Sequence, residues 1–516
     1  MNSNTTSSSE VLGTGSEAAP ETASEYLQRR AWERIQNSSL VLALVVLVVY
    51  GLAALLQEKI LAGNGLGHDG TRYGAWVQDF YTNVLKVGVD NYYAQRVLPS
   101  AVVYSGLTLL HIDRAVPNVI HGFETANALL VFLAALSFSV SSKRIGLSLS
   151  TRWLGAVCLF GSFGILKWST YDPVLTDVWA FALGAFQLQF YLSRNTAALA
   201  LVSVLGAFAW PTLIVVGACL LLCLGVEKYA PLTRRPAPAH LHDVVAAVLT
   251  VAWIYACISV LKRHYDPGVM TGPVCLPLVR LSVLVSSAFL FWGTRTMLDD
   301  RRLFDPWCYL RGLWSISALV APAIVIGTGL VRKHWLSNGV MAMTLQDLVD
   351  VTAFTAIKQP GVFVVAHVVF FGPMFLLVCL RFRHWARILQ RQGMGLTLVT
   401  LLALMSALNT ESRRIFNFVP MLVPFALQLF EELQTPRRRL VQFALLSLFF
   451  SKLWLTMDGK LSGALTEFPA QTLFMNAGPW MNLTMYMVQG TAVALVAYWV
   501  SSWLPRPAEQ LEHRIG

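Results

Sequence analysis

The fold this sequence predicts is all-α, a polytopic bundle of transmembrane helices, and three observations predict it. Hydrophobic residues fill 55% of the 516 positions against 13% charged, and the mean hydropathy is +0.57. Soluble globular domains and disordered chains both lie far from that composition. Long apolar runs recur along the chain, and basic residues gather in alternate connections between them. A hydrocarbon core about 30 Å thick takes roughly 20 apolar residues per helix, which makes about 14 spans, in a range of about 12–14.

The runs lie near residues 39–57, 117–141, 151–169, 174–193, 196–209, 211–225, 242–262, 276–297, 309–331, 361–381, 394–409, 415–432, 440–457 and 485–504. Those at 196–209, 211–225 and 394–409 are short for a span. Residues 1–38 begin with a Ser-, Thr-, Glu- and Ala-rich stretch and read as a disordered cytoplasmic tail. Residues 39–504 form a single transmembrane domain whose loop 58–117 carries interfacial helices, and 505–516 form a second cytoplasmic tail. No cleavable signal sequence is visible, so the first run is expected to remain as an anchor. No internal repeat is visible.

Lys and Arg are retained in short cytoplasmic connections, and this orients the bundle in a plasma or inner membrane. With the N-terminus inside, the inner connections hold Arg29, Arg30 and Arg34, Lys143 and Arg144, Lys228, Arg234 and Arg235, Arg383, Arg387 and Arg391, and Arg437 to Arg439. Acidic residues divide evenly between the two sides. The net charge of +11 therefore reflects topology, and a nucleic-acid partner is not needed to explain it. Both termini are expected in the cytoplasm. The seven cysteines lie mostly within or near the runs, a distribution that suits neither a disulfide framework nor a thiolate metal site.

The outer connections have more chemical character. After the first run come His68-Asp69-Gly70 and then Tyr73, Trp76, Val77, Phe80, Tyr81, Val84 and Leu85 at helical spacing. That helix is expected to lie in the interface, aromatic side towards the lipid. Val97 to Leu110 is short for a span and reads as a second interfacial or re-entrant helix; a span there would reverse the charge pattern. A further amphipathic stretch covers about Met341 to Ala356, and another outer segment runs from Asp458 to Met481. Glu124, Lys167, Asp177, Arg280, His367 and Lys452 all fall in the outer parts of their runs. Charges at that depth face partners or hydrated hollows, so an outward-opening cavity is expected. His68 has no second His at ligand spacing, so no metal site is assigned to it.

The order and sidedness of these motifs resemble the C-type superfamily of polytopic glycosyltransferases (GT-C), which use polyprenyl-phosphate-linked sugars. His68-Asp69-Gly70 with Tyr73 is similar to their Asp-Gly-x-x-Tyr pattern, and Gln95-Arg96-Val97-Leu98-Pro99 to the Arg-x-x-Pro that follows. Asp172 and Asp177 flank Pro173 to Thr176 where the superfamily often has a second acidic residue. Glu411-Ser412-Arg413-Arg414 leading into Pro420 and Pro424 looks like its late Glu-x-Arg element. Pro173 directly after Asp172 departs from the pattern, and members with a C-terminal outer domain are poor templates.

The resemblance implies transfer of a sugar from a polyprenyl phosphate to an acceptor hydroxyl on a glycan, lipid or protein at the extracytoplasmic face, with inversion. The chemistry asks for a carboxylate that takes the hydroxyl proton and a guanidinium that meets the charge growing on the leaving phosphate. Asp69 is the expected base, with Arg413 and Arg414 on the phosphate and Arg96 and Arg280 behind them. Tyr73, His68 and Glu411 complete the binding set. Asp172 or Asp177 would orient the acceptor, bind sugar hydroxyls or ligate a divalent cation, Mg or Mn; five residues apart, they do not share one helix face. A transporter or flippase of a lipid-linked sugar is the alternative, although it would place its charges near the bilayer midplane. A non-catalytic assembly subunit on the same fold is another.

Overall fold

The structure is a computed structural model and describes residues 37–227, 240–264, 274–305, 310, 312–454 and 478–503. Both expected tails, the basic residues at 228–235 and most of the outer segment 458–481 lie outside the described residues. Those described are helical, joined by turns, and no strand occurs among them.

In chain order the helices are α1 Ser39–Leu56, α2 His68–Gln78, α3 Val97–Leu109, α4 Val116–Arg144, α5 Leu149–Phe160, α6 Asp177–Leu192, α7 Thr196–Gly206, α8 Leu213–Val226, α9 Leu241–Lys262 and α10 Val279–Met297. The second half holds α11 Ile316–Val331, α12 Leu345–Ile357, α13 Val362–Phe371, α14 Pro373–Leu380, α15 Phe382–Gln392, α16 Met394–Ser406, α17 Val419–Glu432, α18 Arg437–Phe450 and α19 Leu483–Trp503. Each apolar run of the sequence thus has a helix. The expectation of about 14 spans is not met by their lengths: among the described residues six helices are long and apolar enough to cross a bilayer, or eight if each of two bent pairs is one span. The remaining apolar helices are short because turns interrupt them inside the protein, as at Gly372 and Pro373 between α13 and α14.

Two corrections concern the first outer loop. Its amphipathic helix starts at His68, before the aromatic stripe, and ends at Gln78; Asp79 then accepts from the Thr82 amide at 3.1 Å and turns the chain. Tyr73 is wholly buried and Trp76 is 4% exposed, so the aromatic face packs on protein where lipid was expected. It meets α3 and α4, which are apolar enough to cover it. The short helix at Val97–Leu109 is present as expected.

The outer segments are sewn to one another. Val89 donates to the Leu336 carbonyl at 2.8 Å and accepts from the Asn338 amide at 2.9 Å. Asn91 is the main latch: its side-chain oxygen accepts from the Ala342 amide at 2.9 Å and its nitrogen donates to the Met343 carbonyl at 3.1 Å. The latch fixes the chain entering α12, whose first turn is closed by a capping box between Thr344 and Asp347. From there α12 runs to a 93° bend, and α13 descends into the bundle.

Replacing Asn91 with Ala removes two hydrogen bonds, one exposed at the Ala342 amide and one partly buried at the Met343 carbonyl. Such a loss costs about 1–3 kcal/mol. The expected outcome is faster hydrogen exchange at Ala342 together with a lower melting temperature. Exchange unchanged from wild type would show that the latch is not what holds this segment.

Candidate active site

Three stretches far apart in sequence meet at one end of the bundle: the start of α2, the turn between α5 and α6, and the turn between α16 and α17. Each is brought there by a local conformational requirement. Gly67 precedes α2 at φ 76° and ψ −169°, a region that glycine adopts and other residues avoid. A Cβ on Gly67 would also stand 2.5 Å from Asp172 Oδ2, so this glycine sets both the turn and the approach of the two chain segments. Asp69 follows in the first turn of α2, where the unpaired amides of a helix N-terminus favour negative charge.

Asp172 and Asp177 do not share a helix face, yet both reach the site, because the chain turns back between them and Asp177 is the first residue of α6. The link is Arg413. Its Nε donates to Asp177 Oδ1 at 3.1 Å and Oδ2 at 3.2 Å, and its Nη2 lies 3.8 Å from Asp69 Oδ2. Its guanidinium also sits over the Trp168 ring, 5.9 Å from the centroid. Arg414 points elsewhere and donates to Glu411 at 2.8 Å.

The turn that carries these arginines is held from below and from the side. His367 lies fully buried on α13, with Nε2 2.8 Å from the Ala407 carbonyl and Nδ1 3.0 Å from Ser412 Oγ. A carbonyl can only accept, so the proton is on Nε2 and the Ser412 hydroxyl donates to Nδ1. On the other side, the Gly478 amide donates to the Thr410 carbonyl at 3.2 Å, and buried Lys358 donates to the Pro479 carbonyl at 2.7 Å. Burial lowers the Lys358 amine to about 8.

Beside this charge cluster lies a cavity of about 540 Å3. Arg96, Arg414, Trp210 and Asn409 line its polar end, while Leu249, Trp253 and Leu290 continue it along α9 and α10 into the apolar bundle. Arg96 is 6% exposed and held in a cage: it donates to Tyr73 Oη at 3.3 Å and Tyr92 Oη at 2.7 Å, and it stacks over the Tyr92 and Trp210 rings at 4.4 and 4.7 Å. Its Nε has no partner. Asp69 and Tyr73 stand one turn apart on the same face of α2, a spacing that puts their Cβ atoms about 5–6 Å apart and sets Asp69 beside the residue that holds Arg96.

The electrostatics divide the acids. Burial pushes the Asp172 carboxyl well up, and although Arg413 pulls it down, Asp177 and Asp69 add to the rise. Burial also acts to raise Glu411, but Arg414 and Arg413 outweigh it and hold that carboxyl below its usual range. For Arg413 the loss of hydration opposes the charge, and Asp177, Glu411 and Asp69 more than restore it, raising its pKa.

The structure therefore brings together Asp69, Asp172, Asp177, Tyr73, Arg96, Glu411, Arg413 and Arg414. It leaves two expected residues aside. Arg280 is exposed at the second position of α10 and does not line the cavity, and the exposed His68 side chain makes no contact with the cluster. Of the six ionisable residues expected around one cavity, none lines it; Asp177 joins the charge cluster beside it, and His367 holds the turn that carries the arginines. Lys167 pairs with Glu58 at 3.1 Å, Glu124 with Lys59 at 2.6 Å, and Lys452 covers the Phe163 ring. Sequence reasoning missed Tyr92 and Trp210, which cage Arg96; Trp210-Pro211 between two short apolar runs was the available signal. Among the described residues, no group of three or more His, Cys, Asp or Glu side chains has the arrangement of a metal site.

Two outcomes follow. Gly67→Ala is expected to cost about 1–3 kcal/mol through its backbone alone, and thermal unfolding checks it. Asp172 is a carboxyl whose folded pKa lies above its unfolded value, so its contribution to stability is complete below the ordinary value of 3.8 and declines as pH rises through the raised folded pKa. Asp172→Asn removes that decline, and melting temperatures of the two proteins measured from pH 4 upwards read the difference.

No protein-family model matches this sequence, and no curated protein matches it. Among solved structures, the fold is similar to the apo oligosaccharyltransferase of Archaeoglobus fulgidus, at 12% identity and a TM-score of 0.39, covering 86% of this chain and 57% of that one. The archaeal oligosaccharyltransferase AglB from the same organism, in complex with an inhibitory peptide and a dolichol-phosphate, matches at 12% identity and 0.39, over 90% of this chain and 56% of that one. A third structure of the enzyme, tethered to an acceptor peptide containing the NVT sequon, matches at 12% identity and 0.36. This chain spans little more than half the length of these structures.

Proposed function

We propose that the protein is a polytopic membrane glycosyltransferase that moves a sugar from a polyprenyl-phosphate carrier to an acceptor hydroxyl at the extracytoplasmic face. The observation that carries this reading is a half-exposed carboxylate, Asp69, 3.8 Å from Arg413, whose chain neighbour Arg414 lines a cavity that is cationic at one end and apolar along α9 and α10. A lipid-linked donor needs such a site: a place for a phosphate and, continuous with it, a place for hydrocarbon.

Asp69 is the general base. Its side chain is 39% exposed, in reach of an incoming hydroxyl, whereas Asp172 and Asp177 are buried. As the hydroxyl oxygen bonds to the anomeric carbon its proton passes to Asp69, and the bond to the carrier phosphate breaks with inversion. Asp177 holds Arg413, and Arg413 in turn orients Asp69. The roles of the arginines differ from the sequence expectation. Arg413 is committed to carboxylates, while Arg96 and Arg414 face the cavity, and Arg96 has an unpartnered N–H and only neutral phenols as partners. Arg96 with Arg414 is therefore assigned to the leaving phosphate. Asp172 kept protonated suits hydrogen bonding to sugar hydroxyls better than service as a base. A divalent cation, Mg or Mn, would require Asp172 to ionise, with Asp69 as the neighbouring ligand. The domain limits expected from sequence, the cytoplasmic termini and the choice among glycan, lipid and protein acceptors form part of this proposal.

Incubation of the purified protein with radiolabelled polyprenyl-phosphate sugars is expected to release label from at least one lipid. Asp69→Asn should lower the rate about 10²–10⁴-fold, the range of a lost general base, in protein that still unfolds cooperatively. Arg96→Gln should raise KM for the lipid more than it lowers kcat. Wild-type turnover by Asp69→Asn would remove the mechanism.

A further inference from the structure

A second hollow lies at the opposite, inner side of the bundle and has no part in the chemistry above. It is an apolar slot of about 90 Å3 between α14, α15, α16 and α17, reaching from Phe382 and Trp385 towards Phe418 in the middle of the membrane domain. Its polar lining is slight: Thr400 is spent on the Leu396 carbonyl at 2.7 Å and Cys158 on Ser447 at 3.3 Å. Trp385 is 3% exposed, and its indole N–H has no partner.

The helix that closes the slot, α15, is two-faced. Trp385, Ala386, Ile388 and Leu389 are buried, whereas Arg383, Arg387 and Arg391 recur every fourth residue on the exposed side. The helix is fixed in place at both edges. His384 and Arg391 meet Glu432 at the end of α17 at 2.5 and 2.9 Å, and Gln390 donates to the Thr296 carbonyl in α10 at 2.9 Å. Arg383 and Arg387 pair with no carboxylate among the described residues. The Arg383 guanidinium lies 5.1 Å from the ring centroid of Trp292, which is 50% exposed. One turn away on α10, half-buried Phe289 lines the slot. A path thus runs from the arginine stripe, past Trp292 and Phe289, into the hydrocarbon-lined space.

We propose that this slot and the arginine stripe bind one anionic phospholipid of the inner leaflet, its phosphate at Arg383 and Arg387 and a short segment of one acyl chain in the slot, the rest of that chain lying in the bilayer. The chemistry is complementary at each level. Exposed guanidinium groups meet the headgroup charge, an interfacial tryptophan lies at the depth of the glycerol backbone, and the unpartnered Trp385 N–H suits an ester carbonyl. A neutral phospholipid would fill the slot but leave the arginines without a net negative partner.

The full chain is reconstituted in nanodiscs of equal phosphatidylglycerol and phosphatidylcholine, extracted in mild detergent, and its retained lipids are weighed by mass spectrometry. Wild type is expected to retain phosphatidylglycerol in preference. Arg383→Gln with Arg387→Gln should weaken that preference about fivefold per charge removed, and the Lys pair at the same positions should keep it. Ala403→Phe, which fills the slot, should reduce retention of both lipids. Because the arginines are exposed, the Gln pair folds on the same core as wild type, and equal melting temperatures verify this. Retention without preference in the wild type, or unchanged preference in the Gln pair, overturns the proposal.

Discussion

The buried guanidinium of Arg413 is the interaction on which the candidate site depends. It is a charge at 15% exposure, and stripping the water from such a group is costly unless other charges replace it. Asp177 does so with two hydrogen bonds, and Asp69 completes the shell at 3.8 Å. Because those acids come from α6 and α2, Arg413 determines where two separate helices end. Breaking such a pair leaves an uncompensated charge worth about 3–5 kcal/mol. The same contact that stabilises the fold therefore positions the exposed carboxylate.

Around that centre the arginines divide the work by what surrounds them. Arg414 has Glu411 as its own counter-ion, and Arg413 has two acids. Arg96 is different. Phenol hydroxyls and aromatic faces keep it in place without neutralising it, so its charge remains available to an anion in the cavity. Tyr73 makes this arrangement part of the fold, since its hydroxyl holds Arg96 while its ring is buried under α2. Asp69 on the same helix face is thereby coupled to the cation that bounds the cavity.

The end of the bundle at α15 also sets arginine beside a hollow. There α15 connects two apolar helices, burying Trp385 and Leu389 and leaving Arg383 and Arg387 uncovered. Each end thus combines arginine with a hollow lined by hydrocarbon, but at α15 the one carboxylate, Glu432, is taken by His384 and Arg391, whereas the Arg413 end gathers acids from three chain segments.

Much was legible from the sequence alone. Hydropathy is a property of local composition, so the positions of the helices and the helical nature of Val97–Leu109 could be read before any coordinates. The motifs at Asp69, Arg96, Asp172, Asp177 and Glu411 to Arg414 were visible because their residue types are uncommon in so apolar a chain. Which of them touch was not visible, since Asp177 and Arg413 are 236 residues apart and only packing joins them. Packing also decided that Tyr73 faces protein and not lipid, that Arg280 stands outside the site, and that Arg96 is caged by Tyr92 and Trp210. A periodic pattern tells which face of a helix is apolar; what covers that face depends on elements distant in the chain, and only the tertiary structure brings them together.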